Sequence, residues 1–417
     1  MQTRLADFIK NSPQGEEANA ILRSCVHCGF CLATCPTYQL LGDELDSPRG
    51  RIYLMKQMLE GQPVTQKTQL HLDRCLTCRA CESTCPSGVR YAELVDISRD
   101  LIEKQVKRST DKRLVRYLLR KVLPNPLLFK PIVKIGQSLR PVLPAHLKKK
   151  VPAAVKSNHL WPEPRHSRKM LVLDGCVQPT LSPNINLATA HVLDALGISL
   201  IKSAQAGCCG AIAYHLNAQE EGMNAMRNNI DAWWPFIHNN EIEAIAMTAS
   251  GCGVTVKEYG HMLRHDPVYA EKAAKVSAMT KDISEILLLE LDNLQLILGK
   301  QKINSVSTKL AFHSPCTLQH GQQIRGQIEK ILQTAGFELA TVADAHLCCG
   351  SAGTYSILQP ELSQQLLNNK VSALETGQPE QIVTANIGCL LHLQNGTDLP
   401  VRHWIEVLSA HMSRVSA

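Results

Sequence analysis

Two stretches fifty residues apart constrain this chain more than anything else in it. "SCVHCGFCLATCP" carries Cys25, Cys28, Cys31 and Cys35 before Pro36, and "RCLTCRACESTCP" carries Cys75, Cys78, Cys81 and Cys85 before Pro86. Both obey C-x2-C-x2-C-x3-C-P. Three thiolates at intervals of three residues can wrap one iron–sulfur cube, each taking a separate iron. A zinc ribbon uses two C-x2-C pairs and a longer loop, and leaves the third and fourth cysteines of each run without a task.

The fourth cysteine cannot easily close the same cube, because the proline turns the chain away. In two-cluster ferredoxins that cysteine ligates the other cube. The expected ligand sets are therefore crossed: Cys25, Cys28, Cys31 and Cys85 for one [4Fe–4S] cluster, and Cys75, Cys78, Cys81 and Cys35 for the other. Gly29 offers no side chain where backbone N–H groups must approach a cluster sulfur. His27 reads as a solvent-facing spacer. "DELDSPRGRIYLMKQMLEG", between the motifs, reads as a helix opened by Ser47 and Pro48. Arg49 and Arg51 either offset negative clusters, dock a partner's carboxylates, or simply belong to the helix start.

The chain has sixteen cysteines in 417 residues. "MQTRLADFIKNSPQ" has no apolar core segment of a secretory signal, so the expectation is a chain kept in a reducing compartment, where a disulfide framework is disfavoured. "EILLLELDNLQLILG" at 285–299 is the most apolar run, but polar residues interrupt it at helical spacing. It reads as one amphipathic helix and not a membrane span.

The remaining eight cysteines expose an internal duplication. Cys176 and Cys316 are 140 residues apart, as are Cys208–Cys209 and Cys348–Cys349, while Cys252 and Cys389 are 137 apart. Each copy runs apolar stretch, cysteine, helix, apolar stretch, CCG, long helix, apolar stretch, cysteine. Strand–helix alternation of this kind predicts parallel α/β units, with the cysteines at the C-terminal strand ends where such sheets place ligands. Three readings of these thiols stay open: a further metal or redox centre, a zinc site, or inert thiols buried as small apolar groups. His313 and His320 read as ordinary polar residues.

Charge is uneven. Residues 101–170 hold 18 Lys/Arg against 3 Asp/Glu, in a chain of net charge +7. The same region holds eight prolines from Pro124 to Pro164, and predicts a basic connector that starts helical and is then broken repeatedly. The expected fold class is α+β and multidomain: a mainly helical, two-cluster ferredoxin-like domain at 1–120, the connector at 121–168, and duplicated α/β units at 169–300 and 301–417.

The CCG pattern resembles the cysteine-rich domain of heterodisulfide reductases and their relatives, whose motif ends C-x2-C and can hold a non-cubane iron–sulfur cluster. Here Thr255 follows Cys252 at that spacing and His392 follows Cys389. Each copy lacks one thiol, and His392 is the candidate replacement. A two-cluster domain followed by two such repeats resembles the iron–sulfur subunits of respiratory flavin dehydrogenases. "CVHCGFCLATCPTYQLLGDELDSPRGRIYL", "HLDRCLTCRACESTCPSGVRY", "EYGHML" and "TANIGCLLHL" look most like those of glycolate oxidase. The resemblance implies a separate FAD subunit that oxidises glycolate, with this chain collecting electrons and passing them to the quinone pool.

The sequence agrees that substrate oxidation lies elsewhere: it has no G-x-G-x-x-G after a strand and no nucleophile elbow. The connector suits the cytoplasmic face of an anionic inner membrane, although a solvated linker or an acidic partner explains it as well. Alternatives are an iron–sulfur subunit of a related L-lactate or glycerol-3-phosphate dehydrogenase, or a disulfide reductase acting through the CCG cysteines. The missing fifth cysteines argue against the last. Specific nucleic-acid binding is not expected, because the connector lacks interleaved aromatics.

Overall fold

The computed structural model describes residues 1–144, 148, 151–155, 160–299 and 308–415. Much of the basic run ending "HLKKK" and the expected junction between the repeats at 300–301 lie outside them.

The N-terminal part is helical. α1 (Pro13–Ser24), α2 (Pro36–Leu41), α3 (Pro48–Leu59), α4 (Gln66–Asp73), α5 (Ala80–Thr84) and α6 (Tyr91–Gln105) alternate with the cysteine loops. The starts are written in the sequence. Ser12 and Ser47 each cap a helix with Pro at the first position, their side chains accepting from Gly15 N and Gly50 N. α6 packs on α1, α3 and α4 around Ile21, Leu22, Met55, Leu59, Leu94 and Val95.

α7 (Thr110–Val122) and α8 (Pro126–Leu139) follow. The expected connector is thus more helical than its prolines suggest. Pro126 sits at the first position of α8, where no N–H is needed, and Pro131 is the single proline inside that helix. α7 buries no residue, and of α8 only Phe129 is buried.

Each repeat is a four-stranded parallel sheet. β1 (Arg168–Val172), β2 (Ile198–Lys202), β3 (Ala244–Met247) and β4 (Thr280–Asp282) are ordered β2-β1-β3-β4, and β5 (Lys309–His313), β6 (Glu338–Leu339), β7 (Gln381–Thr384) and β8 (Val401–His403) are ordered β6-β5-β7-β8. The fourth strands are three residues long, too short for a periodicity to announce them. The helices include α9 (Asn184–Ala195), α10 (Gln219–His238), α11 (Ser250–Lys257), α12 (Ile283–Leu289) and α13 (Leu291–Gly299) in the first repeat, and α14 (Gln327–Thr334), α15 (Pro360–Glu375), α16 (Ile387–Gln394) and α17 (Trp404–Val415) in the second. The single helix expected over 285–299 is split at Glu290, whose carboxylate is drawn to Arg168 and Asn293.

The repeats interlock. α17 packs on α9 and α12 packs on α14, so helices of each copy cover helices of the other. Leu193, Ile198, Leu287, Leu310, Leu332 and Trp404 consequently belong to one continuous core. His403 on β8 reaches Thr248 O of the first repeat at 2.9 Å.

Candidate metal centres

Both cysteine loops fold alike for a backbone reason. His27 and Gly29 in the first, and Thr77 and Arg79 in the second, have φ between 52° and 85°. Left-handed residues alternating with ordinary ones curl the chain so that successive N–H groups face inward, a concavity suited to an anion or an iron–sulfur cluster. Thr77 N, for example, points at Cys75 Sγ at 3.3 Å. At Gly29 a Cβ would approach Arg49 Nη1 to 3.1 Å with φ at +85°, so glycine is needed. Cys35 and Cys85, each preceding a proline, are extended as that position demands.

All sixteen cysteines are free thiols. Two cavities lie among the first eight. One is lined by Cys25, Cys28, Cys31, Cys81 and Cys85. The other is lined by Cys35, Cys75, Cys78 and Cys81. Pro48, Cys81 and Tyr91 border both. The donors fit the cluster type that the spacing calls for: four soft ligands around each of two spaces, against a common wall. Burial pushes the Cys31 thiol up to about 11 and the Cys78 and Cys81 thiols well above the ordinary thiol value, so metal must displace their protons.

Arg49 lines the first cavity and Arg51 the second. Arg51 is 1 % exposed. Its guanidinium donates to His71 O at 2.7 Å, to Thr37 Oγ1 at 3.1 Å and to Asp46 Oδ1 at 3.1 Å. Burial by itself weakens that charge, but Tyr91, Cys75, Cys35 and Asp46 around it more than offset the cost, and it stays cationic. Arg99 on α6 donates to Leu72 O, Cys75 O and Thr77 Oγ1 and clamps the second loop. Sequence reasoning missed Arg99, because an arginine on a mostly apolar helix face carries no motif.

The repeats gather their thiols at the strand ends. In the first, Cys176, Cys208, Cys209 and Cys252 are close enough to perturb one another: Cys208 beside Cys176 pushes that thiol well up, and Cys208 and Cys252 do the same to Cys209. Thr255, at the position of the missing thiol, bonds back to Gly251 O at 3.1 Å. In the second, Cys316 Sγ lies 3.8 Å from Cys348 Sγ, and the Cys349 and Cys389 sulfurs lie within 4.8 Å of each other. His392, expected as the replacement ligand, instead meets Ser363 Oγ at 3.2 Å. His320 joins Ser83 Oγ and His346 O, both at 2.9 Å. His313 differs from the ordinary polar residue expected: it is buried, neither ring nitrogen has a hydrogen-bond partner among the described residues, and one lies with the sulfurs of Cys349 and Cys389 inside 4.8 Å.

The repeats meet the N-terminal domain differently. The first does so through polar pairs: Arg79 with Glu258, Arg264 with Glu17, and His215 with Asp96. The second adds to its polar contacts, His320 with Ser83 and Tyr355 with Arg74 O, an apolar patch in which Leu76, Cys316, Cys348, Tyr355 and Leu362 pack together with Cys78. Its thiols therefore adjoin the second cavity, and the charge on Cys316 helps raise the Cys78 thiol after burial.

Sequence comparisons agree with this division. A 4Fe-4S dicluster domain matches residues 21–89, and a cysteine-rich domain matches 170–257 and again 310–394. The glycolate oxidase iron-sulfur subunit of Escherichia coli K12 is 56 % identical over 414 residues, covering 99 % of this chain and 100 % of that one. The probable glycolate oxidase iron-sulfur subunit of Bacillus subtilis is 32 % identical, covering 94 % and 91 %. Lactate utilization protein A of Bacillus subtilis is 24 % identical over 56 % of this chain and 96 % of its own length. With its dicluster domain, its paired cysteine-rich repeats and a likeness running from end to end, this chain belongs to the family of glycolate oxidase iron-sulfur subunits.

Proposed function

We propose that this chain carries electrons within a membrane-associated, flavin-dependent glycolate (2-hydroxy acid) dehydrogenase, receiving them from a separate FAD subunit and passing them towards quinone. In this reading Cys25, Cys28, Cys31 and Cys85 hold one [4Fe–4S] cluster, and Cys75, Cys78, Cys81 and Cys35 hold the other. The observation that carries it is the pair of four-thiol cavities with a shared wall. When bound, each cluster supplies one-electron storage at a potential set by its surroundings.

The chain's own residues set those surroundings. The inward N–H groups of the two loops favour added negative charge. Arg49 and Arg51 place cations on the cavity walls, which raises the potential. Buried Ile52, Leu76 and Val89 give the cavities apolar walls. The units of this reading are 1–120, 121–168, 169–300 and 301–417. Oxidation of the hydroxy acid belongs on the flavin-bearing partner.

The same reading puts the α7–α8 hairpin on the cytoplasmic face of the inner membrane. Leu128, Ile132, Ile135 and Leu139 form an exposed apolar stripe along α8, flanked by exposed Lys130 and Lys134. Such a face enters a lipid interface with its cations toward anionic headgroups. No described helix is long and apolar enough to cross a membrane.

Anaerobic purification, iron and sulfide assay and EPR test the cluster assignment. Two clusters predict about eight irons per chain. Co-purification with a flavoprotein that oxidises glycolate supports the pathway. A colourless, iron-free chain, or one that oxidises glycolate by itself, refutes the reading.

A further inference from the structure

The two cysteine loops part company at one backbone position. Gly29 follows Cys28 with φ at +85°, and Arg79 follows Cys78 with φ at +63°. The first loop uses glycine for its left-handed turn. The second holds a long side chain in a region that L residues rarely adopt. Strain of this kind persists only where the surroundings impose it, and it points to a task for the side chain.

Arg79 lines the second cavity, and its guanidinium meets two carboxylates. Nε donates to Glu82 Oε2 at 2.7 Å, on the short helix α5 of the same loop. Nη1 donates to Glu258, which directly follows α11 in the first repeat. Glu82 accepts through its other oxygen from Ala92 N at 2.6 Å, at the start of α6. A Cβ added to Gly321 of the second repeat would lie 3.9 Å from Arg79 Cδ, so the stem runs where both repeats meet the N-terminal domain. The three charged side chains are at most 34 % exposed, which leaves their fields only partly screened by water. In the first loop the cation comes from elsewhere. Arg49 Nη1 stands 3.1 Å from where a Cβ on Gly29 would be, and it pairs with Glu44 of its own domain. Only the second loop therefore ties a cation at its cavity wall to a carboxylate of a repeat.

We propose that Arg79 is a positioning residue for the second cluster, and that the first repeat, through Glu258, sets how much of its positive charge that cluster feels. The proposal rests on the cluster assignment given above. A cation on the cavity wall favours the reduced, more negative state, and a carboxylate behind the cation opposes it. The two ends of the pair thus act on one potential in opposite directions. A tie that merely held the loop in place would act in one direction, loosening the site whichever end were cut.

The test is an EPR-monitored redox titration of the full chain, purified anaerobically, at pH 8, well above the ordinary carboxyl range. The second cluster is identified as the one lost in Cys78→Ser. Arg79→Gly, the residue the first loop already uses, should lower its reduced-to-oxidised ratio at a fixed potential at least threefold, about 28 mV at 59 mV per tenfold. Glu258→Gln should shift the same cluster in the opposite direction. The double variant, which removes one charge of each sign, should return towards the wild-type potential. The first cluster should move less than the second in every case. Shifts of the same sign in the two single variants, no shift in either, or a double variant no closer to wild type than Arg79→Gly overturns the proposal. If Arg79→Gly fails to hold iron, the sign of the Glu258→Gln shift decides. The iron count of the wild-type chain, taken before any variant, reports separately on the cluster assignment, and a chain without two clusters refutes that assignment and this proposal with it.

Discussion

Replacing Arg51 by Met isolates the contribution of one buried cation to one cluster. The substitution keeps an unbranched, apolar side chain but removes the donors to His71 O, Thr37 Oγ1 and Asp46 Oδ1. Asp46 is 0 % exposed and keeps Arg74, whose Nη1 lies 2.8 Å from its other oxygen. Breaking a buried pair from one side costs about 3–5 kcal/mol, and the surviving Arg74 contact puts this case near 3. That is roughly a 150-fold gain in local opening around the second cavity, at 1.36 kcal/mol per tenfold. Arg51 lines the second cavity and not the first. Anaerobic bleaching with a ferrous-iron chelator should therefore become biphasic, with one cluster lost about a hundredfold faster. EPR of the remaining species identifies the survivor. Asp46→Asn in the same chain should recover part of the loss, because the stranded anion is gone. Equal acceleration of both clusters, or none, would refute this account of Arg51.

Other expectations rest on the same geometry. Cys35→Ser should damage the cluster held with Cys75, Cys78 and Cys81, and Cys85→Ser the other; EPR of each variant checks the crossing, and damage confined to the cluster of the variant's own loop contradicts it. His403 is buried and held down to about 4 by loss of solvent, against hydrogen bonds to Thr248 and Ala385 that raise it. The folded state thus binds fewer protons than the unfolded state, whose His titrates near 6.5, so stability present above that pH is lost as pH falls towards 4, by about 3 kcal/mol in all. Thermal unfolding against pH should lose that acid slope in His403→Gln. Vesicles rich in anionic lipid should float the wild-type chain, and Ile135→Asp with Lys134→Glu should release it, each cation near the surface contributing about 1 kcal/mol; unchanged flotation removes α8 from the contact.

The proximal chemistry was legible in the chain itself. Eight cysteines at fixed intervals, each run ended by proline, dictate loops that can surround soft metal, because spacing along a backbone limits which sulfurs share a space. The 140-residue offset likewise announced the duplicated sheets, since strand ends in parallel α/β units converge. Ser47 and Pro48 announced α3 by local capping alone.

What the sequence could not carry depends on partners far apart in it. Arg51 and Arg99 acquire their roles from Asp46, His71 O and Cys75 O, which meet them only when α3, α4 and α6 pack. The interlocking of the repeats follows from burying α9 under α17 and α12 under α14, a choice made by apolar area and not by any motif. His313 and His392 show the difference most sharply. Spacing favoured His392 because it stands where a cysteine was missing, yet its helix turns it to Ser363, while the end of β5 delivers His313, unpartnered, to Cys349 and Cys389. Covalent spacing set which atoms could meet within a loop; only burial and packing decided which side chains from distant strands and helices complete the sites.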